Sequence, residues 1–505
     1  MTVVPLRVAE TIPARGFLKR FSLLFPVLLF AALLFVAQKS VLAQKNAHAE
    51  PQIHNTITLP RAAHKKGQTA GFFIDPITGN RVYRLSDADL CPNGAQHFYS
   101  YTNQFSPQGR TVFDCFATRG AAPSYPVYSP DYHLEFDDAL GAARVSLPAT
   151  SFHDVQWSQE REVLYARAGG AVVELDPVAR KSRVVVDFAK RLPGFALADG
   201  HTLTISGIDA LSVGPKDRLM VHLTCLYTSP GCPKNGAVIG IGVFDPATDQ
   251  TYAMYVPVPG DKAPDGFDEG QWSQNPNGRL VVVYGDAPNF AYSPDLSSRV
   301  KVDDNHGHRG YFCGSNGRCY IVRVKNDDLP NGRVGQKGCV NPDGSPAKPW
   351  KPEYALYDDA SGKRVLVFAC DLAGQNAWQH LGRSLGGQDV FGISSERFVF
   401  GPSLERFFPT DEAILRALVD YAEQQPVRVA IEPVAYHRSA TGPRAKMMGR
   451  ECGYWASPRV VVDGTGKRFL FDSTMSHAEW PALEGRKTKT DCHRDVFVAE
   501  AAARP

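Results

Sequence analysis

Residues 303–324 read DDNHGHRGYFCGSNGRCYIVRV, and this stretch decides how the rest of the chain is interpreted. Two apolar runs, at 311–312 and 319–324, flank a short turn that contains two glycines and an asparagine. Those residues suit a tight turn because they adopt left-handed backbone conformations at little steric cost. The stretch therefore predicts a β-hairpin, with His306, His308 and Arg309 at its entrance.

Hairpins of this kind recur along the chain in two forms. One form has a turn that begins with aspartate, as in DPITG at 75–79 and DPVARK at 176–181. The other passes through a polar turn into an apolar run, as after QWSQ at 156–159 and QWSQNPNG at 271–278. Alternation of two hairpins is what a four-stranded blade requires, and the second form recurs along the chain. We therefore predict an all-β fold, a β-propeller of seven four-stranded blades, with six or eight blades as the alternatives.

One segment departs from this pattern. Residues 411–425 (DEAILRALVDYAEQQ) carry apolar side chains at helical spacing, and Pro426 follows them. Such spacing before a proline is typical of a helix that ends there. We predict one inserted helix in the sixth blade, packed on the side of the propeller.

The N-terminus has the layout of an export signal. Basic residues precede an apolar run at 21–37, and two small-x-small sites follow it. The run is either a cleaved signal peptide or an uncleaved membrane anchor, and both place the bulk of the chain outside the cytoplasm. We therefore assign residues 1–43 to a signal peptide or anchor helix, 44–70 to a linker and 71–505 to the propeller, in a periplasmic or secreted protein.

Cysteine usage agrees with an oxidising compartment, because all 10 cysteines follow the apolar run and their number is even. Sequence alone does not fix their connectivity, but neighbours along the chain could pair. The pairs that flank a tight turn are Cys225–Cys232 and Cys313–Cys319. The other neighbouring pairs are Cys91–Cys115, Cys339–Cys370 and Cys452–Cys492.

Several classes of function lack their sequence signals. The net charge of +3 gives no reason to propose a nucleic-acid partner. The chain has no phosphate-binding loop and no HExxH pair. No local motif therefore supports an NTPase or a zinc protease.

Candidate site residues lie just before the inner strands, because those strands converge on the central channel of a propeller. Gln271 and His380 each lie seven residues before a turn glycine, and His308 precedes the strand of the opening hairpin. His97 lies upstream of the matching place in the first unit. We expect these four side chains to face one cavity.

Their chemistry suits a metal and a proton transfer. Imidazole and carboxamide groups bind divalent manganese, zinc or nickel, which makes His380, Gln271 and His97 candidate ligands. His308 is a candidate general base, and Arg309 is a candidate bidentate partner for a carboxylate. The alternative is that these histidines, among 14 in the chain, only form hydrogen bonds to neighbouring loops.

The chain resembles the oligogalacturonate lyase family of seven-bladed propellers and, more loosely, exported WD40-like propellers. The similar stretches are DPITGNRVYRLS at 75–86, HFYSY at 97–101, FSPQG at 105–109 and the hairpins at His308 and His380. The resemblance implies that histidines and a glutamine hold a divalent metal. It also implies that a separate histidine, helped by an arginine, removes the proton next to a uronate carboxylate. His380 matches a metal histidine, and His308 lies two residues from the place of the proton-abstracting one.

Two departures from that family pattern are visible. Its His-x-His metal pair is absent near residues 455–459, and Gln271 stands where the family tends to have histidine.

Two hypotheses for the function follow. The first is a lyase that cleaves an acidic oligosaccharide by β-elimination, with manganese or a similar metal as cofactor. The second is a non-catalytic propeller that binds an envelope protein or a glycan, with residues 21–37 as a candidate membrane tether.

Overall fold

The structure is a computed structural model. It describes residues 57–98, 102–116, 123–136, 152–197, 199–226, 228–232, 237–255, 267–272, 279–284, 289–303, 309–325, 353–368, 377–381, 389–397, 413–439, 458–475 and 494–502. Nearly all regular structure in these residues is β-strand, as predicted.

The elements are, in chain order, β1 (Phe72–Ile74), β2 (Arg81–Arg84), β3 (Ala95–Gln96), β4 (Thr111–Val112), β5 (Asp114–Cys115), β6 (Val127–Tyr128), β7 (Leu134–Phe136), β8 (His153–Trp157), β9 (Leu164–Ala168), β10 (Ala171–Asp176), β11 (Lys181–Asp187), α1 (Phe188–Arg191), β12 (Phe195–Ala196), β13 (Thr202–Leu203), β14 (Ile205–Val213), a 3-10 turn (Pro215–Asp217), β15 (Leu219–Cys225), β16 (Val238–Asp245), β17 (Gln250–Tyr255), β18 (Phe267–Trp272), β19 (Leu280–Tyr284), β20 (Asn289–Tyr292), β21 (Arg299–Asp303), β22 (Arg309–Cys313), β23 (Cys319–Lys325), β24 (Glu353–Asp358), β25 (Arg364–Phe368), β26 (Ala377–Leu381), β27 (Val390–Arg397), β28 (Ala413–Ala422), β29 (Gln425–Tyr436), β30 (Val461–Val462), β31 (Arg468–Ser473) and β32 (Asp495–Glu500).

The strands form the blades of a β-propeller. Five sheets contain four antiparallel strands in sequence order: β8 to β11, β14 to β17, β18 to β21, β22 to β25, and β26 to β29. A further sheet, in the order β1-β2-β32-β31-β30, combines strands from both ends of the described chain. We call it the closing sheet, because pairing of β2 with β32 joins the first strands to the last ones.

In the described residues, six sheets have the four or five strands of a full blade, so the predicted count of seven is wrong. The difference lies in residues 95–136. There β4 pairs with β6, whereas β5, one residue further on, pairs with β3 in a separate two-stranded ribbon. The chain thus changes sheets at Phe113, and the result is a three-stranded sheet, β4-β6-β7, beside the ribbon.

The opening hairpin is confirmed. β22 and β23 pair antiparallel, with Cys313 opposite Cys319, and these two cysteines form a disulfide across the turn. Gly317 has a φ of 74°, the left-handed conformation that a glycine adopts easily. The side-chain amide of Asn316 donates to the backbone oxygen of Gln424 at 2.8 Å, which ties this turn to the neighbouring blade.

The helix predicted for residues 411–425 is wrong, because β28 and β29 form a long hairpin there. β28 is an interior strand of its sheet, with Ala413, Leu415, Ala417 and Val419 buried on one face, and with Ile414 buried and Leu418 part-buried on the other. Apolar residues on both faces also match a helical spacing, so the pattern is ambiguous. The turn residues Glu423 and Gln424 have φ values of 49° and 67°, and neither residue type signals such a turn. Pro426 is tolerated because β29 is an edge strand.

The hydrophobic core lies between neighbouring sheets. One cluster joins Val172 of β10 to Val221 and Leu223 of β15, and another joins Ile414 of β28 to Phe469 of β31. Central strands such as β15 are buried along their whole length, whereas the outer strand β11 is mostly part-exposed. The unbroken apolar pattern of the central strands is typical of strands covered on both faces.

The described residues at the N-terminal side lie against the closing sheet. Ala63 and Ala70, which fall in the predicted linker, belong to a buried cluster with Leu85 and Val498. The division at residues 43 and 70 stays a prediction, and the apolar run at 21–37 lies outside the described residues. Within the part of the chain that the structure describes, no helix is long and apolar enough to span a bilayer.

The described residues contain three disulfides, and all three are predicted pairs: Cys91–Cys115, Cys225–Cys232 and Cys313–Cys319. The four remaining cysteines lie outside the described residues: Cys339, Cys370, Cys452 and Cys492.

Candidate functional site

The first strand of each full blade forms one edge of its sheet. β14 contacts both β8 and β18, and β22 contacts β26, so these edges meet at the centre of the propeller. The predicted residues Gln271, Arg309 and His380 lie on β18, β22 and β26, the first strands of three consecutive sheets. Their side chains are outside the described part of the molecule, as are residues 304–308 with His308, so their roles stay predictions.

The motif QWSQ occurs twice, and the structure describes the side chains of one copy. Gln156 on β8 is wholly buried. Its carboxamide accepts from the backbone N–H of Asn103 at 3.2 Å and donates to the backbone oxygen of Leu211 on β14. Gln156 therefore connects the first strands of neighbouring sheets. Gln271 occupies the same place in the second copy.

His97, predicted as a metal ligand, lies directly after β3 and is fully buried. Its backbone N–H donates to Asp472 Oδ1 at 2.9 Å, and its Nε2 forms a hydrogen bond with the backbone oxygen of Arg459. Because a carbonyl oxygen only accepts, this contact assigns the proton to Nε2 and leaves the lone pair on Nδ1. Nδ1 has no hydrogen-bond partner among the described residues.

Two arginines complete the surroundings of His97. Arg459 precedes β30, the strand that ends the closing sheet, and Arg494 precedes β32. Both are only 4% exposed. Arg494 Nη1 lies 3.9 Å from Asp472 Oδ2, which is beyond hydrogen-bond distance. We call His97, Arg459, Asp472 and Arg494 the arginine cluster.

The electrostatics of the arginine cluster favour neutral histidine. Burial lowers the pKa of His97, the Asp472 carboxylate opposes this, and the two guanidinium groups add to it. Burial also lowers the pKa of Arg494 to about 10, although Asp472 again opposes the change. A cation that bound here would face two positive charges, whereas an anion would be attracted. The cluster therefore suits an anion, while Nδ1 of His97 keeps a lone pair for a ligand.

Sequence reasoning missed the two arginines and Asp472, which are single charged residues in separate segments. For Arg459 a signal existed, since it directly precedes an inner strand, the rule that selected the other candidates. Arg494 and Asp472 gave no signal, because pairing within the closing sheet brings them together.

A second group of residues could hold a metal ion. His64, Asp87 and Asp89 have ligand atoms within 4.8 Å of one another. His64 Nε2 lies 2.8 Å from both oxygens of Asp87, whose carboxylate also accepts from the N–H groups of Ala62 and Leu90. These bonds hold residues 61–64 against the propeller, and they already occupy the carboxylate.

A third polar group was also missed. Arg167 on β9 pairs with Asp154 at 3.0 Å and with Asp209 at 3.2 Å, which links two neighbouring sheets. Asp154 and Ala210 have φ values of 52° and 47°, and each lies where its first strand changes register. Such bulges re-aim neighbouring side chains. Burial raises the pKa of Asp154, although Arg167 opposes this.

His437 is fully buried directly after β29. Its Nδ1 accepts from the backbone N–H of Ser439 at 3.0 Å. His306 and His477 lie outside the described residues.

Comparisons with known proteins support the fold. No protein-family model matches the chain, and no curated protein matches it. Among solved structures, an oligogalacturonate lyase in complex with manganese is similar at 10% identity and a TM-score of 0.50, covering 87% of this chain and 98% of that one. An oligogalacturonate lyase from Vibrio parahaemolyticus has 10% identity and a TM-score of 0.49, covering 86% and 98%. At this identity the likeness concerns the fold alone, and the chain has a β-propeller fold similar to that of the manganese-bound lyase.

Proposed function

We propose that this propeller is a lyase that cleaves uronate-containing oligosaccharides by β-elimination. The observation that carries the proposal is the location of Gln271, Arg309 and His380 on the first strands of three consecutive sheets. The likeness in fold to a manganese-bound oligogalacturonate lyase supports it.

The proposed roles follow from the chemistry of each group. His308 removes the proton on the carbon next to the uronate carboxylate, and the electron pair forms a double bond as the glycosidic oxygen leaves. Arg309 binds the carboxylate, whose charge grows as the proton departs. A divalent metal held by His380, Gln271 and His97 would stabilise the same charge. His97 offers Nδ1 for such a role, because this nitrogen has a lone pair and no partner among the described residues, but the neighbouring Arg459 and Arg494 oppose a cation there.

The test is direct. Purified protein with manganese is incubated with oligogalacturonates and other uronate oligosaccharides, and the ultraviolet absorbance of the unsaturated product is followed. We expect product with at least one substrate, and a loss of about 10²-fold or more in His308→Ala. Absence of product across the whole panel would overturn the proposal.

A second candidate is a propeller that binds an acidic glycan without cleaving it. The arginine cluster favours this function, because it offers buried positive charge around a histidine that is neutral. Binding of uronate oligosaccharides without any unsaturated product would establish it in place of the lyase.

We also propose that the protein works in the periplasm or outside the cell. The three disulfides support this location, since such bonds persist in oxidising compartments. Fractionation of cells that produce the full chain should place it outside the cytoplasm. Recovery in the cytoplasm with reduced cysteines would contradict the proposal.

A further inference from the structure

We propose that Ser394 is a positioning residue that orients the imidazole of His380, one of the proposed metal ligands. The hydroxyl oxygen of Ser394 accepts the N–H of the ring nitrogen that does not bind the metal, and so fixes which nitrogen carries the lone pair. This inference rests on the proposed function for the presence of a metal. Its evidence comes from the register and burial of the sheet that contains β26 to β29.

The first step is the register of this sheet. β26 and β27 pair antiparallel, with His380 directly opposite Ser394. Directly opposite residues of an antiparallel pair lie on the same face, with Cβ atoms about 4.5–5.5 Å apart. A serine hydroxyl and an imidazole nitrogen can span that separation with a hydrogen bond of ordinary length.

The second step is the surroundings of the hydroxyl. Ser394 is 0% exposed, and a buried hydroxyl is costly unless it forms a hydrogen bond. β27 is an interior strand, so its backbone groups pair with the strands on either side. On the side of β28 the residue opposite Ser394 is Ile414, whose side chain has no polar atom. Of the two cross-strand neighbours of Ser394, His380 is therefore the one that can bond to the hydroxyl.

The third step is the packing of this face. Side chains alternate along a strand, so Gly392 lies on the same face of β27 as Ser394. A Cβ atom added to Gly392 would lie 2.7 Å from Val462 and 3.0 Å from Val460, so this face lies close against the closing sheet. Both valines belong with Ile414 to one buried apolar cluster. In apolar surroundings a hydrogen bond between two side chains holds both of them strongly in one arrangement.

The fourth step is a comparison of the three candidates on first strands. Gln271 lies opposite Val281, whose side chain forms no hydrogen bond, and Arg309 lies opposite Arg323. A guanidinium group only donates, whereas a hydroxyl oxygen accepts. Among these three pairs, the one with His380 therefore supplies an acceptor. A metal-bound histidine donates its second ring N–H to an acceptor, and loss of such an acceptor weakens metal binding by about 10- to 100-fold.

The experiment measures the affinity of the full chain for manganese by isothermal titration calorimetry, with the metal alone as the probe. We expect Ser394→Ala to weaken binding about tenfold, and Ser394→Thr, which keeps the hydroxyl, to restore it to within about threefold of wild type. Ser212→Ala is the matched control, because Ser212 is also a buried strand serine but lies opposite Met220. The control should leave manganese affinity unchanged.

A second readout does not involve the metal. In metal-free protein with isotope-labelled histidine, the two ring nitrogens of His380 should have well-separated chemical shifts at a pH where the ring is neutral. The reason is that the hydrogen bond at one nitrogen sets which nitrogen is protonated. In Ser394→Ala the two shifts should move towards each other as the tautomers exchange. His380→Ala identifies the signals.

Several results would overturn the positioning role. One is unchanged manganese affinity in Ser394→Ala, and another is an unchanged separation of the His380 shifts. A loss in Ser394→Thr as large as that in Ser394→Ala would assign the effect to packing instead. If Ser394→Ala does not fold, Ser394→Cys takes its place under the same criteria, because a thiol of similar size is a weak acceptor.

The two proposals can fail separately. Formation of unsaturated product, with manganese affinity that Ser394→Ala leaves intact, would retain the lyase and exclude the positioning role. Absence of product, with manganese affinity and a His380 tautomer that both depend on the Ser394 hydroxyl, would retain the positioning role and exclude the lyase. If wild-type protein binds no manganese, the positioning role is overturned, whereas product formation still decides on the lyase.

Discussion

Two buried arginines in the closing sheet differ in how completely they are paired. The guanidinium group of Arg84 donates to Asp495 Oδ2 at 2.6 and 3.0 Å and to the backbone oxygens of Pro60 and Ser86. Arg494, next to Asp495 in sequence, has one short side-chain bond, to Gln96, and its Nη1 lies 3.9 Å from the Asp472 carboxylate. Full pairing indicates a structural role, whereas incomplete pairing at equal burial indicates a role in binding.

The structural role of Arg84 is to join the ends of the chain. It lies on β2 and its partner on β32, 411 residues apart, so this pair stabilises the closure of the propeller. Closure matters because each blade buries its apolar faces only against its neighbours.

The largest effect is expected for Arg84→Met. This change leaves the buried Asp495 carboxylate without its partner, and we expect a loss of about 3–5 kcal/mol in the free energy of unfolding. Urea denaturation followed by circular dichroism measures it. A loss below about 1 kcal/mol would show that full pairing does not mark a structural arginine here.

The next largest effect is expected for the pH dependence of stability, because the buried His222 side chain is neutral in the folded protein. Burial lowers the pKa of His222 from 6.5 to about 4, against the attraction of Asp209. Between pH 4 and pH 6.5 the unfolded chain therefore binds a proton that the folded chain does not. The contribution of His222 to the free energy of unfolding is fully present above pH 6.5 and is lost as the pH falls towards 4. The decline should amount to about 3 kcal/mol. Denaturation of wild type and His222→Leu between pH 7 and 4 tests this, and parallel profiles would contradict it.

A smaller loss in the free energy of unfolding is expected for Gln156→Ala, which removes the carboxamide hydrogen bonds that link β8 to β14. The N–H of Asn103 and the oxygen of Leu211 would lose their partner, at a cost of about 1–3 kcal/mol. Denaturant midpoints give the value, with the exposed Val178→Ala as control. Uronate affinity should not change, and a selective loss of affinity would assign Gln156 to the site instead.

Gln271→Ala tests whether the second copy of QWSQ has the same role as the first. The metal role proposed for Gln271 predicts weaker manganese binding, by about 10-fold or more, with stability changed by less than about 0.5 kcal/mol. Titration with manganese and urea denaturation on the same samples separate the two effects. A stability loss equal to that of Gln156→Ala, with manganese binding unchanged, would assign Gln271 to a second bridge.

A small effect on stability is also expected for Arg494→Met. Because Arg494 is incompletely paired, its removal should change the free energy of unfolding by less than about 1 kcal/mol, in either direction. Galacturonic acid should stabilise wild type against urea and have little effect on this variant. A loss as large as that of Arg84→Met would mean that Arg494 is structural.

The sequence by itself determined the local structure of this protein. The turns at 75–79 and 314–317 and the disulfides Cys225–Cys232 and Cys313–Cys319 follow from residues close together in the chain. Turn chemistry and short-range cysteine spacing are local properties, and the repetition of such hairpins was sufficient to predict a propeller.

The tertiary structure decided those features that depend on contacts between residues far apart in the chain. Pairing of β28 with β27 on one side and β29 on the other makes residues 413–422 a strand, although their spacing equally suits a helix. The change of sheet at Phe113 sets the number of full blades at six in the described residues. Pairing of β31 with β32 brings Asp472 beside Arg494 and leaves that arginine incompletely paired. These outcomes cannot be predicted from the sequence, because each one arises only when segments far apart in the chain pack together.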